Sequence, residues 1–198
     1  VSWPPEVELH GEHASLVPLR PEHAADLAEG SADGELWRIW YTNVPKPEDM
    51  VADIEKRLAR REAGNGLPFA VIDPATGAAV GVTSYWNVDA ENQRVEIGGT
   101  WYRRSVQRSP INTQCKRLLL AHAFETLDCI AVEFRTHFLN HQSRRAIERL
   151  GARLDGVLRN HIRAKDGSLR DTCSYSIIAS EWPAVRTHLD WQLAKPRG

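Results

Sequence analysis

Nowhere in this 198-residue chain is there an apolar run approaching the roughly 20 residues that a helix needs to cross a bilayer. Net charge is nearly absent too: 25 Lys and Arg against 26 Asp and Glu leave −1, without the basic excess that general binding to nucleic acid phosphates demands. Neither nucleic acid nor a membrane is therefore an expected partner. Cysteine is scarce, and Cys115, Cys129 and Cys173 are odd in number, far apart and never spaced C-x-x-C. This argues against a disulfide framework or a thiolate metal site and for reduced, buried thiols. The histidines at His10 and His13, and at His137 and His141, lack the helical H-E-x-x-H arrangement and a third ligand, so no metal is expected. Internal repeats, low-complexity tracts and long Pro/Gly linkers are missing. The stretch Val1 to Glu6 has neither a positive n-region nor an apolar h-region, so the expected location is the cytoplasm.

What is present is an ordinary globular composition, 42% hydrophobic and 26% charged. At this length folding buries about 70% of the unfolded surface, enough for one core without a staple. The expected organisation is a single domain over 1–198, with a short N-terminal extension (1–12) and a C-terminal helix (180–194). Pro and Gly punctuate a clear succession. A strand around Ser15 to Leu19 precedes a helix opened by Pro21, and a second, amphipathic helix runs from Pro47 to Ala63 with Val51, Ile54 and Leu58 on one face. Phe69–Ile72 and Ala79–Trp86 read as an antiparallel hairpin, with Arg94 to Tyr102 as a third strand. Gly98-Gly99 inside that strand suggests either a bulge or a plain twist point.

The strongest helix runs from Asn112 to Leu127, with Asn112 or Thr113 as its cap. A strand from Cys129 to His137, a helix capped by Asn140 and a hairpin from Val157 to Ile178 about the turn Lys165-Asp166-Gly167-Ser168 complete the chain. The fold class is mixed α/β: a mostly antiparallel sheet of about six to seven strands with helices on both faces.

Charge distribution gives the first chemical signal. From Ile97 to Phe124 there is no Asp or Glu, whereas Arg103, Arg104, Arg108, Lys116 and Arg117 all lie there. This places positive potential on one loop and on the start of the following helix, whose dipole and free N–H groups favour a phosphate-bearing ligand. A solvated basic turn gives the same pattern.

Three motifs then carry a resemblance. The run Glu96-Ile97-Gly98-Gly99-Thr100-Trp101-Tyr102, the loop Gln107-Arg108-Ser109-Pro110-Ile111-Asn112-Thr113, and Asn140-His141-Gln142-Ser143 followed by Arg149-Leu150-Gly151 resemble the GNAT superfamily of N-acyltransferases, and within it the RimJ/RimL-type branch. The resemblance implies a central parallel pair that splays apart and direct acetyl transfer from acetyl-CoA to an amine of a protein N-terminus or small molecule. It also implies cofactor contacts at Trp101, Tyr102, Arg103, Arg104, Gln107, Arg108, Ser109, Ile111, Asn112, Thr113, Asn140 and Ser143. The usual Gly-x-Gly of the phosphate loop is replaced here by Arg108, Ser109 and Pro110, so arginine side chains would have to compensate.

Glu96 is the leading candidate base and Ser143 the candidate acid on the thiol side, although Glu96 also fits an ion-paired strand residue and Ser143 a plain first-turn residue. His137 is an alternative base. Trp37, Trp40, Tyr85 and Trp86 are candidates for the acceptor pocket, or simply core. Three readings compete: an N-acetyltransferase, a GNAT-like acyl-CoA-binding or interaction domain without turnover, and a different phosphate-ligand protein. The resemblance also allows a homodimer.

Overall fold

The computed structural model describes residues 3–164 and 166–195, so Lys165 of the expected turn and the extreme termini lie outside the described residues. The elements are β1 (Leu9–His10), β2 (Ser15–Pro18), α1 (Ala24–Ala32), α2 (Met50–Glu62), β3 (Gly66–Ile72), β4 (Ala79–Asp89), β5 (Arg94–Tyr102), α3 (Ile111–Ala121), β6 (Ala131–His137), α4 (His141–Arg149), β7 (Arg153–Arg163), β8 (Leu169–Ile178) and α5 (Trp182–Ala194). They build one eight-stranded sheet in the order β1-β2-β3-β4-β5-β6-β8-β7. The two-residue β1, paired with β2 at Leu9↔Leu16, takes the strand number beyond the expected six to seven. Every neighbouring pair is antiparallel except β5–β6. Parallel neighbours cannot be joined by a tight turn, and α3 provides the crossover between them.

The sequence pattern explains the layers. Alternation along β4, with a register shift in β5 between Gly98 and Trp101, sends Val82 and Trp101 to one side, where Leu27 of α1 and Ile54 of α2 complete a cluster, and sends Tyr85 and Ile97 to the other, against Cys115 and Leu119 of α3. The first cluster covers only the β2–β5 half of the sheet. On β6, Val132 and Phe134 join the α3-side core, while the intervening Glu133, Arg135 and His137 face the other way, in register with Ser176, Ser174 and Thr172 of β8. That side of the C-terminal half is polar rather than capped by an apolar helix face.

Two differences from the sequence reading concern α3. The helix begins at Ile111, one residue after Pro110, so neither Asn112 nor Thr113 caps it. Instead, Ser109 Oγ accepts the Ile111 N–H (3.3 Å), and Thr113 Oγ1 accepts from Arg149 of α4. The α-helix also ends earlier than expected: His122–Thr126 form a widened π turn. There the Tyr85 hydroxyl donates to the Leu119 carbonyl at 2.6 Å and lies 3.2 Å from His122 Nδ1, an insertion of the kind that perturbs a regular helical ladder.

Candidate active site

β5 and β6 pair over only three positions, Arg94↔Ala131, Val95↔Val132 and Glu96↔Glu133. Beyond them β5 continues to Tyr102 and β6 to His137, each still paired with its outer neighbour, β4 or β8. The facing edges of 97–102 and 134–137 therefore carry strand peptide groups with no strand partner. Such edges can hydrogen-bond an extended amide-bearing chain laid between them.

At the mouth of this cleft Gly98-Gly99 belongs to a bulge, not to a plain twist point. Val82 pairs with Trp101 and Ser84 with Gly98, so Gly99 and Thr100 together oppose Thr83 alone. Gly99 has φ +59°, and its carbonyl accepts from Arg57 Nη1 at 3.0 Å, while Arg57 Nε is held by Asp53 at 2.6 Å. A Cβ on Gly99 would strike the Trp86 indole nitrogen and come within 3.0 Å of Arg57 Nη1. Gly99→Ala is therefore expected to destabilise the protein by about 2 kcal/mol, combining left-handed strain with this clash. Chemical denaturation is the check, and an unchanged unfolding midpoint would contradict the packing.

Glu96 stands where the two strands part. It is 7% exposed, and its Oε2 accepts from Asn87 Nδ2 at 2.5 Å, with Arg135 Nε at 3.7 Å. Burial pushes its carboxyl above the usual glutamate range, against the opposing pull of Arg135 and Asn87; Glu133 adds to the upward push. Glu133 itself is met by Arg135 Nη2 (3.1 Å) and by Arg94. A desolvated carboxylate with a raised pKa is suited to accept a proton near neutral pH.

The loop after β5 divides the basic stretch between different tasks. Arg103 is turned to α1, with Nη2 2.9 Å from Glu29 and Nε 3.4 Å from Asp33, while the Ser105 N–H also donates to Asp33. Lys116 is buried under the sheet, so it adds nothing to an exposed phosphate patch, and Arg117 pairs with Asp190 of α5 at 2.7 Å. Arg104, Gln107 and Arg108 remain exposed, and Gln107 Nε2 donates to the Tyr102 carbonyl. Arg108 adopts φ +64°, so the left-handed turn that a glycine would provide persists on an arginine. Pro110 immediately precedes the helix, and the Asn112 and Thr113 N–H groups have no intrahelical acceptor. The turn before α3 thus combines a left-handed residue with free helix-start N–H groups without any glycine.

Across the cleft, Asn140 caps α4 by accepting the Ser143 N–H at 3.0 Å, as its position suggested. Ser143 is half-buried in the first turn. The indole nitrogen of Trp101 and the hydroxyl of Tyr102 are buried without a hydrogen-bond partner.

The four aromatic candidates for the acceptor pocket separate. Tyr85 is fully buried on the α3 side with its hydroxyl committed to Leu119, so it cannot line a pocket on the opposite face; alternation along β4 decides this. Trp86 lies on the Glu96 side, against Gly98 and Gly99, with the Arg60 guanidinium 4.9 Å from its ring centroid. Trp37 is half-buried. Trp40 is 60% exposed, on the segment between α1 and α2, and its ring centroid is 5.1 Å from that of His137 at the end of β6. The α1–α2 segment therefore reaches across the open end of the cleft. His137 Nδ1 accepts the Leu139 N–H at 3.0 Å, which puts the proton of the neutral ring on Nε2 and leaves neither nitrogen free to act as a base.

Sequence reasoning did not single out Arg57, Asn87 or Arg135, which position the bulge and the Glu96 carboxylate. Arg57 carried a local signal, as an arginine on the same helical stripe as Ile54 and Leu58; the other two carried none. All three cysteines are free and buried. Among the described residues no three His, Cys, Asp or Glu side chains gather into a metal-binding group, and no helix is long and apolar enough to cross a membrane.

Comparison with known proteins agrees with this geometry. The acetyltransferase (GNAT) domain family matches residues 14–153. YdaF of Bacillus subtilis (strain 168), whose name proposes a ribosomal N-acetyltransferase, is 27% identical over 176 residues, covering 86% of this chain and 94% of that protein. The uncharacterised N-acetyltransferase p20 of Bacillus licheniformis is 24% identical over 88% of this chain and 97% of its own. Among solved structures, a GCN5-related N-acetyltransferase from Brucella melitensis superposes with a TM-score of 0.84 at 30% identity, covering 96% of this chain and 87% of that one. Mycobacterium smegmatis RimJ, solved with CoA-disulfide, shares the fold with a TM-score of 0.77 at 22% identity over 96% of each chain. The splayed β5–β6 pair, the bulge at Gly99 and these relatives lead to one identification: the chain belongs to the GNAT family of acetyltransferases and is an acetyl-CoA-dependent N-acetyltransferase.

Proposed function

We propose that acetyl-CoA binds between β5 and β6 and that the acceptor amine approaches from the Glu96 side. The observation carrying this reading is the parting of β5 from β6 at Glu96 and Glu133, which leaves two unpaired strand edges converging on a desolvated carboxylate. Acetyl-CoA supplies the activated acyl group. The edges of 97–102 and 134–137 hold its amide-bearing arm, and the free N–H groups of Asn112 and Thr113, with Arg104 and Arg108, hold its phosphates. Asn140 and Ser143 stand on the opposite wall. Glu96 takes the proton from the acceptor ammonium, directly or through one water, and Asn87 and Arg135 fix the carboxylate orientation. Ser143 is assigned the proton donor to the departing thiolate. The resemblance to the RimJ/RimL branch makes a primary amine of a protein N-terminus, or of a small molecule, the acceptor class, and the Bacillus subtilis relative's name adds ribosomal proteins. The free, buried thiols accord with a reducing compartment, and the cytoplasm is the assigned location.

The replaced phosphate-loop glycines favour a second reading, a GNAT-like domain that no longer turns over. Calorimetric titration with acetyl-CoA at two salt concentrations separates the two. The proposal expects a dissociation constant on the order of micromolar that weakens at high salt and in Arg108→Ala. No detectable binding at millimolar ligand would overturn it.

A further inference from the structure

We propose that Arg170 anchors the acceptor, and that the acceptor is accordingly a primary amine carrying a carboxylate or phosphate a few bonds from its nitrogen. This deepens the reading above and rests on its assignment of the Glu96 side as the acceptor side.

Arg170 lies on β8, two residues before Thr172, which pairs with His137, so strand alternation puts it on the same face as Glu133, Arg135 and His137. Its guanidinium Nε donates to Thr172 Oγ1 at 3.2 Å, and among the described residues it has no carboxylate partner. Most arginines of this region are neutralised: Arg135 by Glu133 and Glu96, Arg94 by Glu133, Arg57 by Asp53, and Arg159 of the same hairpin by Asp171 at 2.5 Å; of the others, Arg60 lies over the Trp86 ring and Arg163 donates to the Gly167 carbonyl at the hairpin tip. Burial dominates the titration of both active-site groups, raising Glu96 and lowering His137, and the Arg170 charge opposes the first shift and adds to the second. By register it lies one step beyond Thr172↔His137 on that face, at the end of the cleft marked by the Trp40–His137 contact. Burial depresses its own pKa, the mark of a partly desolvated cation, against the opposing pull of the Glu96 charge.

The local donor and acceptor inventory selects an anion. With Nε engaged, both Nη groups remain to form a planar fork that fits a carboxylate or phosphate bidentately. His137, opposite Thr172 on the same face, keeps an Nε2–H to donate. Negative charge that could hold a polycationic acceptor is already taken: Glu133 and Glu96 face Arg94, Arg135 and Asn87, and Asp171 accepts from Arg159 and the Asn160 N–H. An incoming amine with an anionic end would therefore present its nitrogen to Glu96 and its anion to Arg170.

The test uses the full chain and acetyl-CoA, with thiol release measured on matched amines: L-phenylalanine against phenethylamine and L-phenylalaninamide, O-phosphoethanolamine against ethanolamine, and spermidine as the polycation. Wild-type protein should prefer the anionic member of at least one pair. Arg170→Ala should raise KM for it by about 10- to 100-fold while leaving kcat and the KM of its neutral partner within about twofold, and Arg170→Lys should recover part of the loss. Arg159→Ala, on the same exposed hairpin, should leave the preference intact and controls for hairpin damage. A wild-type preference for neutral amines or spermidine, an equal effect of Arg170→Ala on both members of a pair, or no turnover of any amine overturns the proposal. Where the wild type turns over any amine, Glu96→Gln in the same assay distinguishes the failures: if it turns over every amine as wild type does, the acceptor-side assignment falls too, whereas if it is inactive only the anchor falls; where the wild type turns over none, the acetyl-CoA titration decides, and absent binding overturns the proposed function with the anchor.

Discussion

Glu96→Gln should lower kcat/KM for amine acetylation by about 10²- to 10⁴-fold, the usual range for loss of a general base, without weakening acetyl-CoA binding. The same substitution should leave stability unchanged or raise it, which distinguishes a base from a structural carboxylate. Burial raises the Glu96 pKa in the folded protein. The native state therefore holds a proton where the unfolded chain has already lost it, so this group's contribution is most favourable below the unfolded pKa near 4.5 and declines as pH rises through the raised native value. At neutral pH the wild-type protein carries the cost of a desolvated carboxylate that glutamine does not, while Arg135 keeps Glu133 as its partner. The acid limb of the wild-type pH–rate profile should accordingly lie above the ordinary glutamate range. The measurement is a kcat/KM profile from pH 5 to 9 with parallel urea unfolding of both proteins. A variant that unfolds more readily and loses activity only in proportion would remove Glu96 from the chemistry.

The second large effect concerns Lys116, which lies 7% exposed beneath the bulge on the α3 side. Its Nζ donates to Thr100 Oγ1 at 2.9 Å and Thr83 Oγ1 at 3.2 Å, with the two hydroxyls 2.8 Å apart. No carboxylate meets it among the described residues, and burial pulls its pKa from 10.5 down to about 8, only slightly offset by Cys115. Below pH 8 both folded and unfolded chains hold the proton, and the fold bears the full cost of the buried ammonium. Between about 8 and 10.5 the unfolded chain binds more protons than the native protein, so stability rises with pH; above that window the cost is gone. A shift of this size corresponds to roughly 3 kcal/mol. Measured against Lys116→Met, which has no such titration, wild-type stability should therefore gain about 3 kcal/mol between pH 7 and 10.5. Differencing the two proteins at each pH cancels every other ionisation. A flat difference would mean that the ammonium is solvated or paired in solution.

Lys116 also shows where sequence reading reaches its limit. In the sequence it belongs to an acid-free basic stretch, and nothing local distinguishes it from Arg104 or Arg108. Three-dimensional packing sends one beneath the sheet and leaves the others exposed on the loop. Arg103 was likewise a phosphate candidate by charge, and the structure commits it to Glu29 and Asp33 on α1, some 70 residues earlier in the chain. Long side chains choose partners by tertiary proximity, which charge patterning along a chain does not encode.

Backbone features fared differently, because local chemistry specifies them. The paired glycines marked a bulge or a twist point, Asn140 marked the start of α4, and apolar periodicity marked most strands and helices to within a few residues. Tyr85 and Trp86 are adjacent in sequence and both looked like pocket residues, yet the two-residue period of β4 sends the first into the α3-side core and the second beneath Glu96. Only the family resemblance implied that the central parallel pair splays; no local pattern shows that β5 and β6 part after Glu96↔Glu133, since strand pairing is decided in three dimensions. The sequence by itself determined the order and kind of nearly all elements, the Asn140 cap and the family to which they belong, and narrowed Gly98-Gly99 to a bulge or a twist point, all functions of residues near one another along the chain. The tertiary structure alone decided which charges are buried, which are paired and which is left for a ligand, because desolvation and counterion distance are properties of space rather than of sequence.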